Sequence, residues 1–395
     1  MEVRIYRSAA ELAEAEQFWI TTQRHPNTDL DHFLLVCRSR PEVIGPWIIG
    51  LWDDNRCRCL VVGRLERTTI QPTVGYARLP RMAATIITIV HAGIVGKLDE
   101  AGALDVATAL DGVLRKAQAD VAVVNLLAEG EPLWLALKER ARGGCQQPRW
   151  SIHRKLSLEP EPGFLVRRMR SKHRSWINRK EKELEAAFPG MVGWEWHSQI
   201  ADVAGLCEQM EMVARTTYQR GLGAGFVDDK ETRERLALFA GRGQLRAFLM
   251  KVNEVPKAFW LGELYGGVFH SSATGYAPDV GEFEVGTLMF LRMVDELSRE
   301  RVGCLDFGLG DAHYKERFGD RSWREATVRI FAPTIKGRLL HAVVHTCEFL
   351  DRGARTLVER IGSVDQIKKR WRRSLAEKAT REQLTRRSNS IDLEP

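Results

Sequence analysis

The sequence lacks any apolar run long enough to cross a membrane, and its first residues, MEVRIYRSAAELAEAEQ, are too acidic and polar for a signal peptide. Its seven cysteines are scattered, and only Cys57 and Cys59 stand close together, so a four-ligand zinc pattern is missing. Cysteines spaced in this way are typical of a reducing compartment, where thiols pack as small apolar groups. These absences predict a cytoplasmic protein, with any membrane attachment peripheral and on the inner face.

The spacings that mark common nucleotide and metal sites are missing as well. No apolar strand runs directly into the glycines of 220–225, which excludes a Rossmann fingerprint there. His341 and His345 stand four residues apart in a helical run and share a face, but no glutamate completes the motif as in zinc proteases. We therefore predict no metal cofactor.

The 395 residues are too many for one ordinary core, so they predict two domains with an extension. The composition, 44% hydrophobic and 28% charged, is ordinary for a soluble globular protein. The prolines and glycine of 159–163 break regular structure and predict a linker. We expect a first domain at 1–160, a second at 164–333 and a basic helical extension at 334–395.

The net charge of +7 is unevenly placed. Segment 166–182 holds eight Lys or Arg against Glu181 alone, and 334–395 holds fourteen against eight acids, which favours a polyanionic partner. Within 364–387, five cations surround Trp371. That mixture suits an anionic membrane surface or a phosphate ligand such as a cyclic dinucleotide, and a solvated helix face is the alternative. No DNA partner is expected.

The stretch 257–319 carries the clearest pattern in the chain. Two β-rich runs, AFWLGELY and GVFHSSATGY, meet at a glycine pair that suits a tight hairpin turn. After a loop, apolar residues recur at helical spacing, and the helix gives way to the short buried run CLDFGL. Free backbone N–H groups and the helix dipole then favour an anionic group such as a phosphate at Val285, Gly286 and Thr287.

Several of these residues resemble a known family. Thr274-Gly-Tyr, Val285-Gly-Thr-Leu at the head of a helix, Leu305-Asp-Phe-Gly-Leu-Gly and the pair Tyr314-Lys315 are similar to the acyltransferase core of the GNAT superfamily. More narrowly, they resemble the branch that contains CelD-type proteins of polysaccharide-biosynthesis clusters and Fem-type aminoacyl transferases. The resemblance covers about 164–331 and, more weakly, the first 160 residues. Simple GNAT enzymes carry a pyrophosphate loop rich in glycine and arginine, whereas Asp279-Val-Gly-Glu-Phe-Glu-Val-Gly stands here.

The resemblance implies an α/β (α+β) fold of two GNAT-like domains in tandem, each a mixed, mostly antiparallel sheet flanked by helices. The order helix, strand, helix, strand of 103–158 recurs at 287–331, as expected for two similar halves. In the first half, Val124-Asn-Leu-Leu stands where the second half has Asp306-Phe-Gly-Leu, and no Tyr-Lys pair follows. We therefore interpret the first half as a scaffold.

Acyl transfer to an amine requires a base for the amine, stabilisation of the carbonyl oxygen and a proton for the leaving group. The resemblance implies that Tyr314 protonates the leaving group and that Lys315 stabilises the oxyanion. Glu263 and His270, on neighbouring strands, are candidate bases, but whether they share a face depends on a hairpin register that the sequence leaves open. Asp306 lies inside an apolar strand and needs a partner, so it either orients Tyr314 or Lys315 or caps a turn.

The resemblance further implies acetyl-CoA as the acyl donor, bound at Val285, Gly286 and Thr287, and an amino-sugar or polysaccharide precursor as the acceptor. Arg174 and Arg179, whose forks suit phosphate and carboxylate, are expected to contact the acceptor, together with Tyr218.

Two alternatives stay open. Fem-like transfer of an aminoacyl group from a charged tRNA would suit the basic segments and the acidic donor loop. A non-catalytic GNAT-like scaffold in a polysaccharide-synthesis assembly is the other.

Overall fold

A computed structural model describes residues 1–74, 77–140, 148–217, 220, 225–310 and 312–360, apart from the side chains of Ala77 and 352–360. The described helices are α1 (Ala13–Thr22), α2 (Leu30–Ser39), α3 (Glu100–Arg115), α4 (Pro132–Arg140), α5 (Phe164–Arg168), α6 (Ser171–Ala187), α7 (Val203–Ala214), α8 (Lys230–Gly241), α9 (Val285–Arg299), α10 (His313–Phe318) and α11 (Ile335–Arg360), with 3-10 turns at Pro26–Thr28 and Pro278–Phe283.

The described strands are β1 (Glu2–Tyr6), β2 (Val43–Pro46), β3 (Ile48–Asp53), β4 (Arg56–Ile70), β5 (Thr73–Val74), β6 (Ala77–Arg78), β7 (Met82–Gly96), β8 (Val121–Ala128), β9 (Ser151–Ser157), β10 (Val192–His197), β11 (Leu245–Val252), β12 (Val255–Tyr265), β13 (Val268–Tyr276), β14 (Cys304–Leu309) and β15 (Arg321–Phe331).

Four helices begin at an aspartate whose side chain replaces a missing backbone acceptor. Asp29, Asp99, Asp202 and Asp229 precede α2, α3, α7 and α8, and each carboxylate accepts a hydrogen bond from the backbone N–H three residues on, at 2.8–3.0 Å. A cap of this kind stabilises a helix by about 1 kcal/mol. These starts are therefore encoded locally in the sequence.

The chain divides into two compact units. Unit 1 comprises residues 1–153 and 322–360, together with Leu309 and Gly310. Its strand order is β1-β3-β4-β7-β8-β15, with β2 also on β4, and only the β7–β8 pair is parallel among these. Apolar residues of α3 and α4 fill the core on one face, and those of α1 and α2 fill a second core.

Unit 2 comprises residues 154–308 and 312–321. Its strand order is β14-β13-β12-β11-β10, in which β13 and β14 are parallel and the other pairs are antiparallel. One face of this sheet packs against α9, and the other face packs against α7 and α8. The predicted class, mixed sheets flanked by helices, is thus observed in both units.

The element positions differ from the prediction at a few points. The strand expected at 324–331 in the second domain is β15, which starts at Arg321 and pairs antiparallel with β8 of unit 1. The loop expected between β13 and α9 contains the 3-10 turn Pro278–Phe283. The different position of β15 results from its long-range pairing with β8, which no local sequence pattern predicts.

The predicted helical extension begins as α11 (Ile335–Arg360), which lies in unit 1. The basic segment 364–387 lies outside the described residues. None of the helices that the structure describes combines the length and apolar character needed to span a membrane.

Candidate active site

Three titratable residues line up across neighbouring strands of unit 2. Glu263 on β12 lies directly opposite His270 on β13, and His270 lies directly opposite Asp306 on β14. Because paired residues share a face of a sheet, the three side chains lie on one side, which we call the acid–histidine row. The register that the sequence left open therefore places both candidate bases together.

The acid–histidine row points away from α9. Phe269, Leu305 and Phe307, which alternate with row residues along β13 and β14, belong to the apolar core that includes α9. Alternation along a strand therefore directs the row to the face of α7 and α8. The row is largely withdrawn from solvent, since Glu263 is 3% and Asp306 4% exposed.

The row lies where the parallel ladder ends. Pairing of β13 with β14 covers three residue pairs, the last of which is His270 with Asp306. In the described residues, β13 nevertheless continues to Tyr276 and β14 to Leu309. A bulge in the β12–β13 pairing, which follows Leu261, lies beside the same point. Bulges re-aim side chains and are common next to active sites.

Asp306 makes several polar contacts. Its Oδ1 accepts a hydrogen bond from the backbone N–H of Gly308 at 2.8 Å, and its Oδ2 lies 3.2 Å from Nζ of Lys155 on β9. The same Oδ2 lies 3.9 Å from Nδ1 of His270. The carboxylate therefore caps the turn that leaves β14 and also carries a cationic partner, as burial of a charge requires.

Glu263 has its own cationic partner. Its Oε1 pairs with Nη1 of Arg235 on α8. Burial raises the pKa of Glu263, although Arg235 and a hydrogen bond with Ser272 act in the opposite direction. Both carboxylates of the row are thus held by cations from outside it, and His270 lies between them.

Tyr314 lies on the other face of the sheet. Its half-buried ring packs among Trp260, Phe290 and Phe307, with ring centroids 5.8, 6.2 and 5.8 Å away. These neighbours all belong to the core under α9. The predicted proton donor and the predicted bases therefore approach the end of the β13–β14 ladder from opposite faces.

Lys315 is buried, with 8% of its surface exposed. Its Nζ donates hydrogen bonds to the carbonyl oxygens of Phe307 at 2.8 Å and Gly308 at 3.4 Å. Burial lowers the pKa of Lys315, and the nearby Asp306 carboxylate opposes that shift. The ammonium group therefore ties α10 to the exit of β14.

The predicted donor corner, Val285, Gly286 and Thr287, forms the start of α9. The preceding Glu284 has a φ of +56°, and its carbonyl accepts the first backbone hydrogen bonds of the helix. A Cβ atom on Gly286 would lie 3.2 Å from the ring of Tyr276, so even a small side chain would press on that ring.

The acids of the loop before the donor corner have basic neighbours. Asp279 pairs with Nζ of Lys257 on β12. Burial lowers the pKa of Arg317 on α10, and the Glu284 carboxylate opposes this shift. The acidic character of the loop is therefore offset by cations that are distant in sequence.

Two of the predicted acceptor residues, Arg174 and Arg179, lie on α6. Arg174 donates hydrogen bonds to the carbonyls of Met169 and Arg167, at 2.7 and 3.3 Å, and so closes the turn between α5 and α6. Arg179 forms an exposed ion pair with Glu183 at 3.4 Å. Tyr218 lies outside the described residues, so its predicted role stays a prediction.

Sequence reasoning missed two residues of the site, Lys155 and Arg235. Lys155 lies on β9, where the alternation of side chains does not indicate which residue it pairs with. Arg235 lies on α8, a helix with several exposed charges. The only signal was the rule that a carboxylate inside an apolar strand needs a cation, which does not say where that cation stands.

Comparison with known proteins identifies the fold of this site. Residues 171–316, which hold the acid–histidine row, the donor corner and Tyr314, match the family model described as an acetyltransferase (GNAT) domain. The protein is an acyltransferase. No curated protein sequence matches the chain.

Among solved structures, the acyltransferase is similar to FemX, with 10% identity, 87% of this chain and 100% of that chain covered, and a TM-score of 0.57. At that identity the likeness shows the fold alone, and it agrees with the predicted GNAT-like, Fem-type fold. A tandem GNAT protein from the clavulanic acid biosynthesis pathway shares 12% identity, with 84% and 99% covered and a TM-score of 0.47. The C-terminal domain of a putative lysylphosphatidylglycerol synthetase from Agrobacterium fabrum shares 11%, with 85% and 96% covered and a TM-score of 0.46. These last two likenesses are too distant to support an argument.

Proposed function

We propose that unit 2 transfers an acyl group from an acyl-CoA thioester, with acetyl-CoA as the donor, to a primary amine of a sugar or polysaccharide precursor. One observation carries this proposal: the acid–histidine row stands at the last residue pair of the β13–β14 ladder. Beyond that pair, a linear donor arm can enter between the two strands and bring its thioester to the row.

In this proposal His270 is the base. Glu263 and Asp306 are held by Arg235 and Lys155, whereas the imidazole lies between the two carboxylates and within 3.9 Å of Asp306. Negative neighbours favour the protonated imidazole that forms when the amine loses its proton. The amine nitrogen then bonds to the thioester carbon as the proton moves to His270, directly or through one water.

The carbon–sulfur bond breaks in the second half of the reaction. The departing thiolate takes a proton from the Tyr314 hydroxyl, which reaches the thioester from the α9 face while the amine approaches from the face of the row. Lys315 holds the backbone of Phe307 and Gly308 in place and supplies a fixed positive charge near the developing oxyanion.

The donor corner would hold the anionic end of the donor. Backbone N–H groups and the helix dipole of α9 favour a phosphate there, and Gly286 makes room for the Tyr276 ring beside the start of this helix. Because Lys257 and the neighbouring Arg317 offset Asp279 and Glu284, the loop does not repel such a group as strongly as its sequence suggests.

The acceptor class rests on the resemblance to CelD-type proteins and on the arginines of 166–182, which would meet phosphate or carboxylate groups of an envelope precursor. Fem-like aminoacyl transfer from a charged tRNA is the second candidate, and the likeness to FemX favours it at the level of the fold. The two candidates share the acid–histidine row and differ in the donor.

A thermal melt with each donor separates these functions. Acetyl-CoA at one hundred times its dissociation constant should add about 2.7 kcal/mol of stability. The same melt with charged tRNA, and an assay of thiol release with amino sugars, complete the comparison. Stabilisation by acetyl-CoA together with amine-dependent thiol release supports the proposal. Stabilisation by charged tRNA alone favours Fem-like transfer, and no response to either donor favours the scaffold.

A further inference from the structure

Two histidines and a glutamate converge in unit 1. His153 on β9 has its Nδ1 2.9 Å from Oε2 of Glu325 on β15. His91 on β7 has its Nε2 4.0 Å from the same oxygen. One donor atom from each residue lies within 4.8 Å of the other two. Three strands that are distant in sequence thus deliver three metal-ligating groups to one point.

These separations suit a divalent metal ion. Zinc binds imidazole nitrogen at 2.0–2.1 Å and carboxylate oxygen at about 2.0–2.2 Å, so neighbouring ligand atoms of a tetrahedral ion are about 3.3 Å apart. The separations of 2.9 and 4.0 Å lie on either side of that value. Side-chain rotations alone could therefore bring all three donor atoms to one ion.

Neighbouring side chains hold these three groups in place. The ring of Trp323 stacks on His153 with centroids 4.4 Å apart, and its indole N–H donates to Oε1 of Glu325. The rings of His25 and His91 pack edge to face, with centroids 4.9 Å apart. Contacts of this kind orient ligand side chains around metals. His153 and Glu325 are 1% and 5% exposed, so these two side chains are also shielded from water.

A cavity adjoins the cluster. Glu325 lines a space of about 180 Å³ whose wall also includes Ser151, Thr327, Arg149 and Arg329. This volume can hold several waters or one small ligand. An ion held by three protein groups has a further coordination position, which water or substrate occupies in catalytic zinc sites.

We propose that His91, His153 and Glu325 bind one divalent transition-metal ion, for which zinc is the probe, with an exchangeable position toward this cavity. The set of two imidazoles and one carboxylate suits zinc, iron or manganese rather than calcium or magnesium. On binding, the ion takes the place of the hydrogen bond between Nδ1 of His153 and Oε2 of Glu325. Unit 1 is then more than a scaffold, and this inference does not depend on the proposed transfer reaction.

The chain offers a matched control in the same unit. His341 and His345 on α11 have their rings 6.0 Å apart, and His341 stacks on Phe331. No carboxylate joins them in a three-residue cluster among the described residues. This pair therefore measures what two histidines without the third ligand contribute.

The test is titration of the full-length, chelator-treated protein with Zn²⁺ by calorimetry, and with Co²⁺ by visible absorption. We expect one ion per chain and a visible absorption spectrum typical of Co²⁺ with a low coordination number. His91→Ala and Glu325→Gln should each weaken binding by at least about tenfold, as loss of a ligand or its support does. Glu325→Gln is close in shape to the native residue, and His91 is partly exposed, so both variants are expected to fold.

The control variant His345→Ala should bind like the unchanged protein. If the unchanged protein takes up no metal, or if His345→Ala weakens binding as much as His91→Ala does, the proposal is wrong. In that case His153 and Glu325 form a buried hydrogen-bonded pair only. Retention of full affinity by either His91→Ala or Glu325→Gln would equally overturn the assigned ligand set.

Discussion

Replacement of Asp306 by asparagine tests the centre of the acid–histidine row. The asparagine side chain would keep an oxygen that accepts the Gly308 N–H bond, now 2.8 Å long, but it would remove the charge that faces Lys155 at 3.2 Å. At an effective dielectric constant of about 20, two unit charges at that distance attract each other by about 5 kcal/mol. Desolvation offsets much of this energy, and the Lys155 side chain retains 27% exposure to water.

We therefore expect a net coupling of about 1 to 3 kcal/mol between Asp306 and Lys155. A double-mutant cycle with Asp306→Asn and Lys155→Met measures it. Hydrogen exchange of the β13 and β14 amides is the suitable readout, because a chain of two units need not unfold in one step. Turnover of Asp306→Asn should also fall at least about tenfold, because the imidazolium loses its carboxylate neighbour.

The exposed pair of Arg179 and Glu183 is the control for this cycle. Its side chains are 64% and 42% exposed at 3.4 Å, so the cycle with Arg179→Met and Glu183→Gln should give a coupling of about 0.5 kcal/mol or less. If the Asp306–Lys155 coupling is no larger than this control, the expected interaction energy of the pair is wrong. Full turnover of Asp306→Asn would remove Asp306 from the mechanism.

The remaining predictions concern the leaving group, the donor and the tail. Tyr314→Phe and Lys315→Ala should each lower turnover by at least about tenfold, and a variant with unchanged thiol release would exclude that residue. Gly286→Val should weaken acetyl-CoA binding in a titration more than Gly286→Ala does, because alanine adds only the contact with the Tyr276 ring. Equal binding of acetyl-CoA by both variants would place the donor elsewhere. The tail 334–395 should carry the chain onto anionic vesicles at low salt, at about 1 kcal/mol for each cation near the surface. Equal sedimentation of the full chain and a chain ending at 333, or binding that ignores salt, would rule out membrane docking.

Local sequence determined much of this protein. The hairpin and helix of 257–319, the aspartate caps, the helix Ile335–Arg360 and the strand that carries Asp306 all follow from short-range patterns of apolar residues, turns and caps. The family resemblance predicted Tyr314, just past β14, as the residue that protonates the leaving group. Its place in the mechanism stays a prediction.

Only the tertiary structure decided which of these residues meet. The register of β12 with β13, and of β13 with β14, places Glu263, His270 and Asp306 on one face, and a shift by one residue would have separated them. Lys155 meets Asp306 across strands that are far apart in the chain, and His91, His153 and Glu325 meet one another in the same way. No spacing in the sequence predicts these contacts. Strand pairing is set by the burial of whole sheet faces, which depends on all elements at once and not on any short segment.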